Sequence, residues 1–563
     1  MRWILKPKPD ENIVENMAQE LGVDATISSL LAQRGIKSFS QAKTFFRPEL
    51  NSLHDPFLMK DMDLAVARIE QALAKGERIL VYGDYDVDGT TSVALMSSYL
   101  KTRTSEISTY IPDRYKEGYG VSYQGIDYAH DNEFTLIVAL DCGIKAIEKV
   151  EYAKQKGIDF IICDHHRPGD EIPNAVAVLD PKREDCDYPY KELCGCGVGF
   201  KLIQALAYKN GSSLDSLVPY LDLVATAIGA DIVPITGENR VLAYHGLKVI
   251  NESPRPGMKA IIDQFKKDKL SITDVVFLIA PRINAAGRMK HGNHAVTLLT
   301  ETDINNAMNY AVDIDKYNSD RKDADKAITK EALKQIEDNA EQERFTSVVY
   351  QEDWHKGVIG IVASRLIETY YRPTLVFTKS GDKLAASARS VYGFDVYNAL
   401  SNCSAHIEQF GGHMYAAGLT IKEENYEAFK AAFEAEVKNS IDPKLLTPEI
   451  KIDAQLGLNQ ISDKFYRILK QFAPFGPGNP SPVFMSDDLT DTGYGKCVGE
   501  DKDHLRLTVQ QNASKQFVCI GFGLGKKIEL AGKGKRFKAA YCLDENHWNG
   551  VTNLQFRLKD IMA

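Results

Sequence analysis

The chain has 563 residues, 44% hydrophobic and 26% charged, with a formal net charge of −9. That length exceeds what one hydrophobic core supports, so several domains are expected, in an otherwise ordinary globular composition. The acidic balance argues against a protein that coats long duplex DNA by charge alone, while a local basic channel is compatible with it.

No apolar run nears the roughly 20 residues that cross a bilayer. Met1-Arg2-Trp3-Ile4-Leu5-Lys6-Pro7 lacks the apolar stretch of a secretory signal, so no membrane association and a cytoplasmic setting are expected. Nine cysteines, an odd number, suit a reducing compartment better than a disulfide framework. Cys194-Gly195-Cys196 reads as two buried thiols, a poor match to a zinc site.

Residues 1–55 read as a helical leader. In Asp61–Lys75 the positions Leu64, Ala65, Ile69, Ala72 and Leu73 have helical spacing, and Gly76 stops the helix. Over residues 56–300 strand, loop and helix alternate, the signature of a doubly wound parallel sheet. Three apolar runs there stop at acids or imidazoles. Ile79-Leu80-Val81-Tyr82 enters Gly83-Asp84-Tyr85-Asp86-Val87-Asp88-Gly89. Leu136-Ile137-Val138-Ala139-Leu140 ends at Asp141, and Phe160-Ile161-Ile162-Cys163 ends at Asp164-His165-His166. Ligands of such sheets bind beyond the carboxyl ends of the strands. Carboxylates and imidazoles aimed at one crevice repel one another unless cations hold them, which predicts a metal site with two divalent ions.

Asp86 and Asp88 sit two apart before a helix starting near Thr90; an N-cap and turn explain one acid, but three acids in five residues exceed a cap's needs. Asp141 alone reads as a turn former, and its sheet edge raises its standing. Asp231, after the apolar helix ending Ala227-Ile228-Gly229-Ala230, is equally a C-terminal turn residue and a ligand. Oxygen and imidazole donors without thiolate favour Mn²⁺ or Mg²⁺ over structural zinc, and paired ions of this kind serve phosphoryl hydrolysis.

Residues 301–342 read as a connector, with Asp303–Asn339 one long helix carrying a thin apolar stripe: Ala311, Ile314, Ala324, Ile328, Ala332 and Ile336. A second, smaller α/β body is expected over 343–445, with strands Ser347–Tyr350 and Thr374–Phe377 around the helix Ile359–Tyr371. From 446 to 563, past a Pro/Gly cluster at 473–480, short alternating segments predict an all-β region, a small barrel or sandwich.

The acidic and Asp-His-His motifs resemble the DHH phosphoesterase superfamily. Ala280-Pro281-Arg282-Ile283-Asn284-Ala285-Ala286-Gly287-Arg288, Trp354-His355-Lys356-Gly357-Val358-Ile359-Gly360 and Gly411-Gly412-His413-Met414-Tyr415-Ala416-Ala417-Gly418 narrow the resemblance to its single-strand-specific 5′→3′ DNA exonucleases. It covers the chain from about residue 55 onward and implies a DHH domain, a DHH-associated domain and a C-terminal OB-fold. The implied ligands are Asp86, Asp88, Asp141, His165 and Asp231, with Asp141 bridging the ions and Asp84 a further ligand. His166 would act beside the scissile phosphate as a polarising or acid/base group. Some superfamily members carry a metal-binding His where Tyr82 stands here, which leaves the Asp84 assignment open.

For the nucleic acid, Arg282, Asn284 and Arg288 are expected in a loop rich in small residues, with Arg282 also at the reaction centre. Interdomain salt bridging is the competing role and suits Arg288 better. Arg114 would hold phosphate while Tyr115 or Tyr119 stacks a base; both tyrosines equally suit loop packing. The second α/β body would offer Ser387, Arg389 and His413, with Gly411-Gly412 amides meeting a phosphate or forming only a tight turn. Lys526, Lys527, Lys533, Lys535, Arg536 and Lys538, with Phe537, would give the barrel a basic groove.

The expected activity is release of 5′ mononucleotides from single-stranded DNA in repair and recombination, by a monomer working with a helicase and a single-strand-binding protein. Two rivals stand beside it: a small-substrate phosphodiesterase, acting on oligoribonucleotides or a phosphonucleotide, and a non-catalytic replication scaffold.

Overall fold

Residues 79–179 supply a five-stranded parallel sheet, seen in a computed structural model that describes residues 1–512, 514–532, 534–548 and 550–563. Its strands are β1 (Ile79–Gly83), β2 (Ile107–Tyr110), β3 (Leu136–Leu140), β4 (Asp159–Cys163) and β5 (Ala177–Leu179), and α1 (Val87–Leu100) follows β1. The order is β2-β1-β3-β4-β5. Every residue of β1 and β3 is buried, because helices cover both faces; this is why the runs are uninterruptedly apolar. The strand order reverses between β1 and β3, and Asp84 and Asp141 follow those two strands. A ligand crevice belongs at such a switch point.

Asp86 caps α1, its Oδ1 accepting the Gly89 N–H at 2.9 Å. α1 is buried along nearly its whole length and packs against α2 (Gly195–Lys209) and α3 (Leu221–Ala230). A helix so enclosed cannot shift without opening the core, so the acids at its start are held rigidly.

Beyond α4 (Ala280–Met289), α5 (Ile304–Asp338) is the connector, 35 residues and so about 52 Å long. Its stripe is divided: Ala307, Ala311 and Ile314 enter the core of the first body, and Ile328, Ala332 and Ile336 that of the second. The second body is a mixed sheet of order β9-β10-β8-β7-β6, built from β6 (Ser347–Tyr350), β7 (Thr374–Ser380), β8 (Lys383–Arg389), β9 (Gln409–His413) and β10 (Ala416–Lys422). The helix α6 (Ile359–Thr369) lies between connector and sheet.

The C-terminal strands β11 (Phe484–Asp491), β12 (His504–Gln510), β13 (Phe517–Gly521), β14 (Phe537–Trp548) and β15 (Val551–Met562) close on themselves in the order β11-β12-β13-β15-β14-β11. Only β13 and β15 run parallel within this ring, the connectivity of an OB-fold. Leu505, Leu507 and Val509 alternate inward along β12.

Residues 1–55 do not form a separate helical leader. Arg2–Leu5 is a strand, paired in parallel with Glu449–Ile452. Met17, Ile27, Leu30 and Leu31 share one core with Phe465, Phe472 and the barrel strands. All nine cysteines are unpaired, with Cys194 and Cys196 fully buried. Among the described residues, no helix is long and apolar enough to cross a membrane.

Candidate metal centre

The carboxyl edge of the sheet gathers its acids around one imidazole. His165 Nε2 lies 3.1 Å from Asp141 Oδ1, 3.6 Å from Asp231 Oδ2 and 3.7 Å from Asp88 Oδ2. Two overlapping donor sets result: Asp141, His165 and His166, and Asp88, His165 and Asp231, each with its ligand atoms within 4.8 Å of one another. Asp84 and Asp86 border these sets without joining either.

Each position is set by local structure. Asp88 stands in the first turn of α1, and its two oxygens accept the Gly195 and Cys196 N–H groups at the start of α2, each at 2.7 Å. Asp141 leaves β3 with φ of 60°, an uncommon backbone conformation for a non-glycine residue. Gly195 leaves it room, since a Cβ there would lie 2.6 Å from the Asp141 side chain. Asp231 is the C-terminal cap of α3, so its turn role and its place in the cluster coexist. Tyr82 is structural: its hydroxyl donates to the Gly120 carbonyl at 3.0 Å inside the core.

These groups are poor company without a cation. Like charges about 4 Å apart repel by roughly 4 kcal/mol at an effective dielectric near 20. Burial, followed by Asp88 and Asp86, holds the Asp141 carboxyl well above its usual range. Burial, then the charge of Asp86, raises Asp88 to about 6; burial, then Asp88, raises Asp231 to about 8. Burial lowers His165 to about 3, keeping the imidazole neutral, the form that ligates. Asp84 Oδ2, Asp141 Oδ1 and both His165 ring nitrogens are buried without a hydrogen-bond partner. Unpaired buried acceptors cost stability unless something fills them, and a divalent cation fits this donor set.

Asp164 has a different task. It accepts from the backbone N–H groups of Ile144, His165 and His166 and from His166 Nδ1, the last at 2.7 Å. Burial alone would raise this carboxyl, but the His166 hydrogen bond and charge bring it to about 2. Burial likewise opposes protonation of His166; the Asp164 hydrogen bond and charge outweigh it and hold that imidazole at about 9. His166 is thus an oriented imidazolium at neutral pH, with Nε2 3.1 Å from the Tyr119 hydroxyl.

The expected nucleic-acid residues divide. Residues 280–289 form α4, not a loop. Arg282 and Arg288 lie on different faces of it. Arg282 pairs with Asp315 at 2.8 Å, on the half of the connector packed into the first body, and lies over the Phe265 ring, so its ion pair is not between the two bodies. Arg288 donates to the Gly357 carbonyl at 2.8 Å, and Asn284 is half-buried one turn earlier. Burial, then the charges of Arg114, Arg389 and Arg321, lowers Arg288 to about 10, so arginines from both bodies and the connector crowd one place. Arg114 stacks on Tyr85, 4.2 Å from its ring centroid. Tyr115 bonds the Arg288 carbonyl, a packing role, whereas Tyr119 is half exposed.

Ser387 and Arg389 lie side by side at the end of β8, Arg389 Nη1 donating to Ser387 Oγ at 3.2 Å. His413 is exposed at the end of β9, and Gly411-Gly412 are strand residues rather than a turn. In the barrel, Phe537 is 1% exposed and belongs to the core. Lys527 pairs with Asp560, Lys535 bonds the Glu529 carbonyl, and Arg536 lies 3.3 Å from Asp488. Lys526 and Lys538 are exposed. Lys533 lies outside the described residues. The outward row across the barrel is instead Lys496, Arg506, Ile520 and Arg557, which are register partners in turn.

One acid escaped the sequence reading. Asp180 ends β5 as Asp84 and Asp141 end β1 and β3; it is fully buried with Oδ2 unpaired, and burial raises it to about 7. The run Ala175-Val176-Ala177-Val178-Leu179-Asp180 carried the same signal as the other three.

Comparison with known proteins places this architecture. Family models described as DHH family, N-terminal domain, DHHA1 domain and RecJ OB domain match residues 78–228, 343–439 and 452–560. The chain is 36% identical over 564 residues to the Bacillus subtilis single-stranded-DNA-specific exonuclease RecJ, covering 100% of this chain and 70% of that protein. It is 33% identical over 557 residues to the Escherichia coli protein of the same name, covering 94% and 95%. The crystal structure of Thermus thermophilus RecJ in complex with Mn²⁺ superposes with a TM-score of 0.85 at 27% identity, covering all of this chain and 79% of that one. With these three domains in this order and identity of this extent, the chain belongs to the RecJ family.

Proposed function

We propose that the chain is a metal-dependent exonuclease that digests single-stranded DNA in the 5′→3′ direction, releasing 5′ mononucleotides. The observation carrying this reading is the set of unpaired buried donor atoms of Asp84, Asp141 and His165 at the switch point of the sheet. The relatives' names supply the substrate class, and Mn²⁺ and Mg²⁺ complexes of the Thermus protein supply the ions. Six side chains — Asp84, Asp86, Asp88, Asp141, His165 and Asp231 — exceed the needs of one octahedral ion that keeps waters, which supports two. When bound, the ions neutralise the phosphate and lower the pKa of an attacking water.

The chain's own residues do the rest. The neutral His165 is common to both donor sets, with Asp141 against its Nε2. His166, kept protonated by Asp164, offers a positive charge and a proton at Nε2 to the oxygen that leaves the phosphorus. Arg114, Arg288 and Arg389 hold the flanking phosphates, with Asn284 and Ser387 beside them; the guanidinium fork suits that geometry. Tyr119 meets the adjacent base. Arg282, engaged with Asp315, fixes α4 to the connector instead. The connector's length sets the separation of the two bodies, and a gap sized for one strand excludes duplex. A monomer in the cytoplasm, supplied with single strands by a helicase and a single-strand-binding protein, completes the proposal.

The closed barrel favours this reading over a small-substrate phosphodiesterase, which has little use for a strand-binding module. The test is incubation of 5′- and 3′-labelled single strands and blunt duplex with Mn²⁺, Mg²⁺ or EDTA. Mononucleotide release from the 5′ end of single strands alone, abolished by EDTA, is the predicted result. Ready digestion of duplex, or release from the 3′ end, contradicts it.

A further inference from the structure

The second body carries an exposed aromatic pair, Tyr392 outside the motifs above and Tyr415 within the run Gly411–Gly418 but without a role so far. Tyr392, in the loop after β8, is 62% exposed, and Tyr415, in the turn between β9 and β10, is 43% exposed. Their rings are nearly parallel, 10° apart, with centroids separated by 6.2 Å. Large aromatics usually pack into a core, so two presented together at the surface need a reason.

The pair is held in place. The Ser390 N–H donates to the Tyr415 carbonyl at 3.0 Å, and the Val396 N–H donates to the Met414 carbonyl at 2.9 Å. The Gly393 N–H reaches the Tyr415 hydroxyl at 3.4 Å. Loop and turn thus pin each other, and the rings are presented without the entropy cost of ordering a mobile loop. Lys451 stands over Tyr392, its Nζ 4.6 Å from the ring centroid and 3.2 Å from the hydroxyl.

Position gives the pair its meaning. Arg389, assigned above to a backbone phosphate, is three residues before Tyr392 and is the register partner of Ala416, the residue after Tyr415. His413 is two residues from Tyr415 on the other side. Lys451 lies in Glu449–Ile452, the strand that leads into the barrel domain. A cavity of about 370 Å³ opens beside the Tyr392 ring, with Tyr371, Lys444, Lys451 and Glu449 in its wall, the last paired with Arg2. Cations and rings therefore continue from the phosphate site of the second body towards the OB-fold.

We propose that Tyr392 and Tyr415 form a base-stacking platform for single-stranded DNA, with Lys451 against the backbone, bridging the DHHA1 body and the barrel. Aromatic faces accept any base, so the platform adds affinity without sequence preference. This rests on the single-strand reading of the active site, and the experiment separates the two.

Binding of fluorescent oligonucleotides is measured by anisotropy in EDTA, so that no hydrolysis intervenes. The chain used is full-length, as parent, Tyr392→Ala/Tyr415→Ala and Tyr392→Phe/Tyr415→Phe. The alanine pair weakens binding of a long single strand by about tenfold or more, and the phenylalanine pair, which keeps both rings, binds like the parent. A strand carrying a run of abasic sites loses less affinity between parent and alanine pair than the intact strand does, because the platform's share of stacking is already gone. Equal binding of the intact strand by parent and alanine pair overturns the platform, as does a phenylalanine pair that falls with the alanine pair. A parent that neither binds nor digests single strands overturns the active-site reading instead.

Discussion

His166 Nδ1 lies 2.7 Å from Asp164 Oδ1, and three backbone N–H groups converge on that same carboxylate. The arrangement fixes the ring, leaves Nε2 facing the crevice and keeps the imidazole protonated up to about pH 9.

Asp164→Asn removes the charge that raises His166. Because His166 is charged below its own pKa, whatever depends on the imidazolium persists until pH rises through about 9 in the parent. In the variant the alkaline limb of kcat moves towards the ordinary histidine value near 6.5. At pH 8 about nine-tenths of the parent's His166 but only about 3% of the variant's is protonated, a loss of about thirtyfold. An NMR titration of His166, run alongside the rate profile, checks the assignment; an unmoved His166 contradicts it.

Metal affinity follows the raised carboxyls. Asp88 and Asp231 reach about 6 and about 8, above their unfolded values, so the folded metal-free protein holds protons that the unfolded chain releases. Its stability from these groups is full below the unfolded pKa, near 3.9, and is lost as pH rises through the folded values. Mn²⁺ relieves the repulsion but competes with those protons. The thermal upshift produced by a fixed excess of Mn²⁺ therefore grows from pH 5.5 to pH 8.5. A hundredfold difference in apparent affinity corresponds to roughly 2–3 kcal/mol. An upshift that shrinks with rising pH contradicts the coupling.

Gly195→Ala tests the cluster without removing a donor atom. The added methyl would sit 2.6 Å from Asp141 and on the turn whose N–H holds Asp88 Oδ2. Metal affinity falls by about tenfold to a hundredfold, as when a supporting partner is lost, and calorimetric Mn²⁺ titration measures it. Unchanged affinity shows that Asp141 is not where the structure puts it.

Arg240 joins three parts of the chain. Its guanidinium donates to the carbonyls of Phe45, Phe472 and Ala473 at 2.9–3.0 Å. Arg240→Met leaves those carbonyls without that donor, costing about 3 kcal/mol. Hydrogen exchange over residues 1–55 and 446–563 rises while the parallel sheet stays protected. Equal protection throughout excludes the clamp.

Much of the site was legible because parallel-strand chemistry is local. An apolar run followed by Asp or His writes both the strand and its functional end into adjacent residues, as at Leu140-Asp141 and Cys163-Asp164. The connector was equally plain, 303–339 expected against Ile304–Asp338 found, since a sparse stripe over ten turns has few other readings. What failed was non-local or misweighted. The support of Asp88 by Gly195 and Cys196 spans more than a hundred residues and uses backbone N–H groups, which no side-chain pattern announces. The expected loop over 280–289 is a helix, as alanine favours helix most and Pro281 suits its first turn. Phe537 belongs to the core and not to a basic groove, because its alternation with Arg536 and Lys538 turns it inward.

The most direct test of the metal centre is anomalous diffraction at the manganese edge from a crystal soaked in Mn²⁺. The account predicts peaks within coordination distance of Asp141 and His165, the pair at the heart of the cluster, and their loss in Asp141→Ala. No peak at that rim, with Asp88, Asp141 and Asp231 turned to solvent, would contradict it.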